Sequence, residues 1–370
     1  MQTFIQCIKL FFQKHVLVFP KQKNPPTLAI FCYKTEGFPP WDPRTIQTGI
    51  AGAEESVIYI AKELSRLGYQ VTIFANPPQN SPYSAPTANP RYLSSHHEDS
   101  TYFDIAISWR MVKMGPKLKK RAKKVYLWPH DICSEVWHKS QIKSFDDVLW
   151  LSQFEKEQYS LINPLFSSFP HVFFHGIEPA QCKGVKERQN PHSCIYGSNY
   201  TRGLEILLDI WPLVHKEYPK ATLDIYYGWQ KWGRPAFEKE QKMREQIEKM
   251  RSYGVLEHGC VGHEELNAAY EKASLWTYPC TYPETFCVSA LRAQVSGAIP
   301  VIIDGSALRE TVLYGYRCGT KEEYLPLLLL AMKESAKISL ETRKKMSEQI
   351  LAHYSWKRVA ERWHELFQKA

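Results

Sequence analysis

From Thr27 onward, short apolar segments alternate with stretches of helical periodicity, and this alternation runs through twice. In the first run, residues 27–32 (TLAIFC) and 70–74 (QVTIF) are apolar enough for strands covered on both faces. Between them, Val57, Ile58, Ile60, Ala61, Leu64 and Leu67 predict a helix over 53–68 that stops at a glycine. Shorter strands are predicted at 103–108, 125–128, 148–152 and 171–174, with 77–101 a long loop rich in Pro, Ser, Asn and His. A second run starts near 191, with strands at 194–196, 223–227, 275–278 and 299–303 and helices at 203–214, 235–250, 265–272 and 286–295. Helical stretches at 321–336, 340–353 and 356–368 close the chain. Strands that alternate with helices demand parallel sheets and crossover connections, so the fold class is α/β. The expected divisions are an extension (1–26), a first unit (27–185), a second unit (186–355) and a terminal helix (356–370). In open parallel sheets ligands gather at the carboxyl ends of the strands, and two facing units would create one shared cleft.

Composition narrows the class of protein. A chain of 370 residues that is 44% hydrophobic and only 23% charged can bury large cores, which excludes disorder, collagen and coiled coil as its architecture. The net charge of +9 suits phosphates or other anionic ligands without specifying one. Nine scattered cysteines form no C-x-x-C pair, so neither a zinc site nor a disulfide framework is expected, and a reducing, cytoplasmic setting is. No apolar run is long enough to span a bilayer. Residues 1–26 mix Phe, Ile, Leu and Val with Lys9, Lys14 and His15, unlike a signal peptide. They read as a packed extension in preference to a membrane-surface segment.

Three segments could carry chemistry. Gly49-Ile50-Ala51-Gly52-Ala53-Glu54-Glu55 opens a helix with small residues, which lets backbone amides approach an anion. Ser198-Asn199-Tyr200-Thr201-Arg202-Gly203 sets a cation before a helix start, where cations are disfavoured unless an anion joins them. Tyr278-Pro279-Cys280-Thr281-Tyr282-Pro283-Glu284-Thr285-Phe286-Cys287-Val288 leads from a strand to a helix, with Glu284 able to cap the helix or to grip hydroxyls.

Taken together these segments resemble the GT-B glycosyltransferases of the retaining, family-four type. The likeness rests on Gly52-Ala53-Glu54, Arg202-Gly203-Leu204, and Pro283-Glu284-Thr285-Phe286 followed by Ala293, Gly297 and Pro300-Val301. It extends to His130-Asp131, Ser152-x-Phe154 and His175-Gly176-Ile177-Glu178, and covers about residues 27 to 368. The resemblance implies two Rossmann-like domains facing a cleft, with the terminal helix, from Trp356, returning to the first. It implies transfer of a sugar, with retention, from a nucleoside diphosphate sugar to a glycan, lipid or protein acceptor. By the same resemblance Glu284 holds donor-sugar hydroxyls, Arg202 neutralises the diphosphate, His130 faces the reacting sugar, and Gly52 lies near the phosphates. Thr285, Phe286, Cys287 and Val288 supply backbone beside the diphosphate, and Ser198, Lys231, Val261, His263 and Arg292 complete the donor-binding set. No metal and no cofactor other than the donor itself is implied.

Three positions depart from the family pattern. Arg292 stands where a second carboxylate usually holds the ribose, Gly197 where an arginine is usual, and His175 where an asparagine is. Ser198 or Lys231 could compensate for the lost arginine. These departures keep a non-catalytic nucleotide-sugar-binding protein open as the alternative. A sugar-nucleotide epimerase or a phosphorylase is less compatible with the segment around Glu284. Lys117, Lys119, Lys120, Arg121, Lys123 and Lys124 form a basic run expected on a helix, a solvated face or a peripheral contact with a membrane's cytoplasmic face. No nucleic-acid-binding module accompanies it.

Overall fold

The computed structural model describes residues 25–32, 39–97, 100–133, 135–179, 183–227 and 238–369. Two six-stranded, wholly parallel sheets organise the molecule. The first takes β1 (Thr27–Phe31), β2 (Gln70–Ala75), β3 (Arg91–Ser94), β4 (Phe103–Trp109), β5 (Ala122–Trp128) and β6 (Asp147–Val148) in the order β3-β2-β1-β4-β5-β6. The second takes β7 (Ser193–Gly197), β8 (Thr222–Tyr226), β9 (Val255–Gly259), β10 (Leu275–Tyr278), β11 (Ile299–Ile303) and β12 (Tyr316–Cys318) in the order β12-β11-β10-β7-β8-β9. Counted within each sheet, the two orders are the same. Each therefore has one place where the chain reverses its direction of growth, between β1 and β4 and between β7 and β10.

The inner strands follow the apolar runs of the sequence. β1, β10 and β11 are almost wholly buried, as a sheet covered by helices on both faces requires. Several expectations fail at the edges. The loop over 77–101 contains β3, and β9 and β12 are strands that carry exposed polar positions. The expected strand at 148–152 is only Asp147–Val148 with an isolated bridge at Trp150, and that at 171–174 is reduced to its bridge partner Val172. The basic run does not lie on one helix: a four-residue helix (Gly115–Leu118) ends inside it and β5 starts at Ala122. Lys119 and Lys124 share Asp146 and Lys123 meets Asp104, so two carboxylates offset part of the six-cation run.

The chain crosses between the sheets twice, and the crossings pair. Ile177 N–H donates to Tyr354 O (2.6 Å), and Trp356 N–H donates to Ile177 O (3.3 Å). A Cβ at Gly176 would run into the backbone of Trp356, which accounts for glycine in the crossing segment. Helix Leu340–Tyr354 packs on helix Val288–Val295 of the second half. Helix Trp356–Lys369 then returns to helix Gly52–Arg66 of the first half, setting Trp363 edge-on to Trp128 (4.9 Å between rings). Burial of Trp356, Val359, Trp363 and Phe367 on one face explains its strong amphipathic spacing.

Candidate active site

A cleft of about 470 Å³ lies between the two sheets, and both reversal points open into it. From the second half come Ser198 and Arg202, which follow β7, and Glu284, which follows β10. Glu284 Oε1 accepts from the Tyr278 hydroxyl (2.6 Å) and lies 3.8 Å from Arg202 Nε. The Ser198 hydroxyl is 3.1 Å from the Tyr278 hydroxyl, joining the three residues in one chain of contacts. Burial raises the Glu284 pKa above the usual carboxylate range, against the pull of Arg202.

Arg202 precedes helix Leu204–Glu217, whose N-cap, Gly203, has φ of 95°. A side chain at Gly203 would also meet the Pro279 carbonyl, so this glycine lets the β7 and β10 loops touch. The conflict between Arg202 and the helix start is partly relieved by Glu284 and by the Tyr282 ring, whose centroid is 3.2 Å from the guanidinium carbon. Its Nη1 is nevertheless buried with no hydrogen-bond partner among the described residues. A buried, unpaired donor on a guanidinium is costly unless a ligand meets it.

The opposite wall carries His130. Its ring lies 4.5 Å from Trp128, 5.5 Å from Trp109 and 5.0 Å from His175. Burial, then His175 and Arg110, depress the His130 pKa well below its ordinary value, and burial drives His175 down to about 3. Both imidazoles are therefore neutral at ordinary pH. A base depressed in this way contributes stability that is complete above about pH 6.5 and is lost as pH falls through the folded pKa. The melting temperature should accordingly drop as pH falls from neutrality toward 4. His175→Phe should flatten that slope, because neither nitrogen of His175 has a partner among the described residues. An unchanged slope measured by thermal denaturation across pH would refute this assignment.

The remaining predicted residues divide into groups. Thr285, Phe286 and Val288 clasp the first half, while Cys287 packs in the core of the second: the Thr285 hydroxyl donates to His130 O (3.0 Å), Phe286 meets His175 (5.0 Å), and a Cβ at Gly52 would touch the Val288 side chain. Thr285 O in turn accepts from the Ser152 hydroxyl (2.7 Å). The helix expected from Phe286 begins at Val288, with Cys287 as N-cap, so Glu284 stands four residues before it and does not cap it. Val261 lines a small pocket of about 50 Å³ that adjoins the cleft and shares Ile50, Tyr227 and Leu266 with it. His263 borders both cavities, and burial brings its pKa down to about 4. Lys231 lies outside the described residues.

Arg292 is engaged in a way that the sequence did not announce. Its Nη2 donates to both oxygens of Glu55 (3.0 and 3.2 Å) and its Nη1 to Asn267 Oδ1, with Arg292 and Glu55 each about 95% buried. The missing arginine at Gly197 has a plain cause: a Cβ there would collide with the Tyr270 hydroxyl. Sequence reasoning also missed Tyr278 and Tyr282, which hold Glu284 and Arg202 in place; their position between a strand end and a proline loop was the only available signal. Among the described residues, no group of three or more His, Cys, Asp or Glu side chains is placed to hold a metal ion.

The sequence matches no protein-family model and no curated protein sequence. Its fold matches solved structures along nearly its whole length. Sucrose-phosphate synthase from Thermosynechococcus elongatus superposes with a TM-score of 0.71 at 15% identity, covering 94% of this chain and 99% of that one. HepE from Anabaena, solved with UDP-glucose, gives 0.66 at 13% identity, covering 93% and 100%. The lipopolysaccharide outer core galactosyltransferase WaaB, in its apo form, gives 0.64 at 14% identity with the same coverage. The architecture is thus the GT-B arrangement of two Rossmann-like domains facing a cleft, with the terminal helix returned to the first.

Proposed function

We propose that the protein transfers a glycosyl group from a nucleoside diphosphate sugar to an acceptor held by the first domain, with retention of anomeric configuration. The observation that carries this reading is the pairing of a partly unsatisfied guanidinium, Arg202, with a buried carboxylate, Glu284, where the β7 and β10 loops meet. Anion and hydroxyl recognition are then adjacent, as a sugar joined to a diphosphate demands. In the reaction, the bond from the anomeric carbon to the diphosphate oxygen breaks and a bond to the acceptor hydroxyl forms. The acceptor proton passes to the leaving phosphate, and Arg202 with Ser198 stabilises the negative charge that develops there. Glu284 orients the sugar, while neutral His130 faces it from the other wall. Thr285 and Phe286 join the two walls at His130 and His175, and closure of the domains on the donor would exclude water from the bond that breaks.

The test is a panel of nucleotide sugars scored by thermal shift and by release of free nucleotide, beginning with UDP-glucose because HepE was solved with it. Binding without turnover on any acceptor would favour the non-catalytic alternative, to which Gly197 and Arg292 lend weight. In this scheme the positive charge opposite the diphosphate is supplied by Arg202, so treatment with a chelator should leave turnover unchanged. Loss of activity on chelation, restored by a divalent ion, would overturn that part. A cytoplasmic setting agrees with the absence of a disulfide among the described cysteines. No helix among the described residues is long and apolar enough to cross a membrane. Peripheral membrane contact has weaker support, since Asp146 and Asp104 already offset part of the basic run.

A further inference from the structure

The two sheets have the same strand order, so the cleft receives two reversal points and not one. The second domain's is furnished by Arg202 and Glu284. The first domain's is furnished by Glu54 on the helix after β1, Arg110 at the end of β4, and Asp131 just beyond β5. We infer that Glu54, Arg110 and Asp131 form the acceptor subsite, and that it takes a neutral, hydroxyl-rich sugar. This rests on the transferase reading above and adds the class of acceptor.

Two independent features point to a ligand. Glu54 is 7% exposed and faces the cleft, and among the described residues its carboxyl accepts from its own backbone amide but from no other residue. A carboxylate that served only the dipole of its helix could do so from the exposed face; burying it with no side chain bonded to it is unfavourable. Burial also raises its pKa above the usual range, with Arg110 opposing. Arg110, in turn, adopts φ of 68°, a left-handed conformation that non-glycine residues reach only under constraint. The constraint is visible. Its amide donates to Trp128 O (2.9 Å), its guanidinium lies over the Trp109 ring (4.4 Å), and its Nε sits 3.1 Å from Asp131 Oδ2. The strained backbone therefore holds a guanidinium at the cleft beside the two tryptophans that flank His130.

The charges select the ligand. Two carboxylates repel a phosphate or another acid, and Arg110 repels an ammonium group. A hydroxyl satisfies both kinds of group, since it donates to Glu54 or Asp131 and accepts from Arg110. Several such hydroxyls on one small molecule describe a carbohydrate, with one of them presented toward His130 and the donor sugar.

The full chain is used for the test. Glucose, galactose, N-acetylglucosamine and maltose serve as probes, first for direct binding by ligand-observed NMR without donor, then as acceptors with whichever nucleotide sugar shifts the melting temperature. At least one probe should bind and accelerate nucleotide release. Glu54→Gln and Arg110→Lys should each weaken that sugar's affinity and raise its KM about 10- to 100-fold, with the donor's thermal shift kept at the wild-type value. Unchanged sugar affinity in both variants, or transfer confined to lipid or peptide acceptors, would overturn the inference. Failure of every nucleotide sugar to bind would instead defeat the transferase reading, and the NMR arm would still decide whether Glu54 and Arg110 hold a sugar.

Discussion

Arg202→Ala should reduce turnover about 10²- to 10³-fold, the loss seen when one preorganised donor to a developing anion is removed. The melting temperature should fall only modestly, because the pair is long at 3.8 Å and partly exposed, and the Tyr278 hydroxyl still donates to Glu284 when Arg202 is gone. The reason for so large a kinetic effect is geometric. Arg202 has an ion partner in Glu284 and a ring beneath it in Tyr282, yet one terminal nitrogen has no acceptor among the described residues. Its guanidinium is therefore oriented before any ligand arrives. Arg202→Lys should recover only part of the rate, since an ammonium keeps the charge but neither stacks flat on Tyr282 nor presents a fork of donors. A second consequence separates this role from simple packing. Arg202 holds down a Glu284 pKa that burial otherwise raises, so its removal should move the acid limb of the rate profile to higher pH. Glu284→Gln should lower turnover as severely while abolishing that limb altogether. Steady-state kinetics across pH decide the matter, and wild-type rates in both variants would reject the assignment.

Much of this arrangement could be read from the residues, for physical reasons that also mark where reading stopped. Inner parallel strands are apolar on both faces, so TLAIF and IPVII stand out without any partner in view. Edge strands face solvent on one side. Arg91–Ser94 and Tyr316–Cys318 are short, carry exposed polar side chains, and pair on one side only, so nothing local distinguishes them from loop. The segment over 171–174 is apolar for a different reason: it underlies the crossing between domains, where Phe173 and Phe174 pack against the returning helices. At the site, Arg202 was conspicuous because a cation before a helix start is locally unfavourable, and Glu284 because it directly follows a proline-bounded loop that leaves a strand end. Arg110 gave no signal, since its importance lies in a backbone conformation that β4 and β5 impose. Glu54 and Glu55 were recognisable as helix-opening acids, but not as buried ones. Burial of that turn depends on helix Val288–Val295 of the other domain, and Arg292 is 237 residues away from Glu55.

That distant pair is the basis of the largest stability effect. Arg292→Ala should destabilise the protein by about 3–5 kcal/mol, the usual result of stranding one member of a buried ion pair. Glu55 would be left in the domain interface with His263 at 3.6 Å, and burial keeps that imidazole neutral. Glu55→Ala should cost a similar amount by stranding Arg292 beside Asn267. The pair joins helix Gly52–Arg66 to helix Val288–Val295, so the loss falls on the interface and should open the cleft as well as lower the denaturation midpoint. Charge reversal gives the sharper test. Arg292→Glu restores the residue type usual at this position in the family that the sequence resembles, but here it would face a buried carboxylate and should be worse than alanine. Combining it with Glu55→Arg should recover much of the loss, and a double-mutant cycle should return a coupling well outside the additive range. If Arg292→Ala unfolds at the wild-type denaturant concentration, or the reversed pair is no better than Arg292→Glu alone, the contact contributes nothing to holding the two domains together.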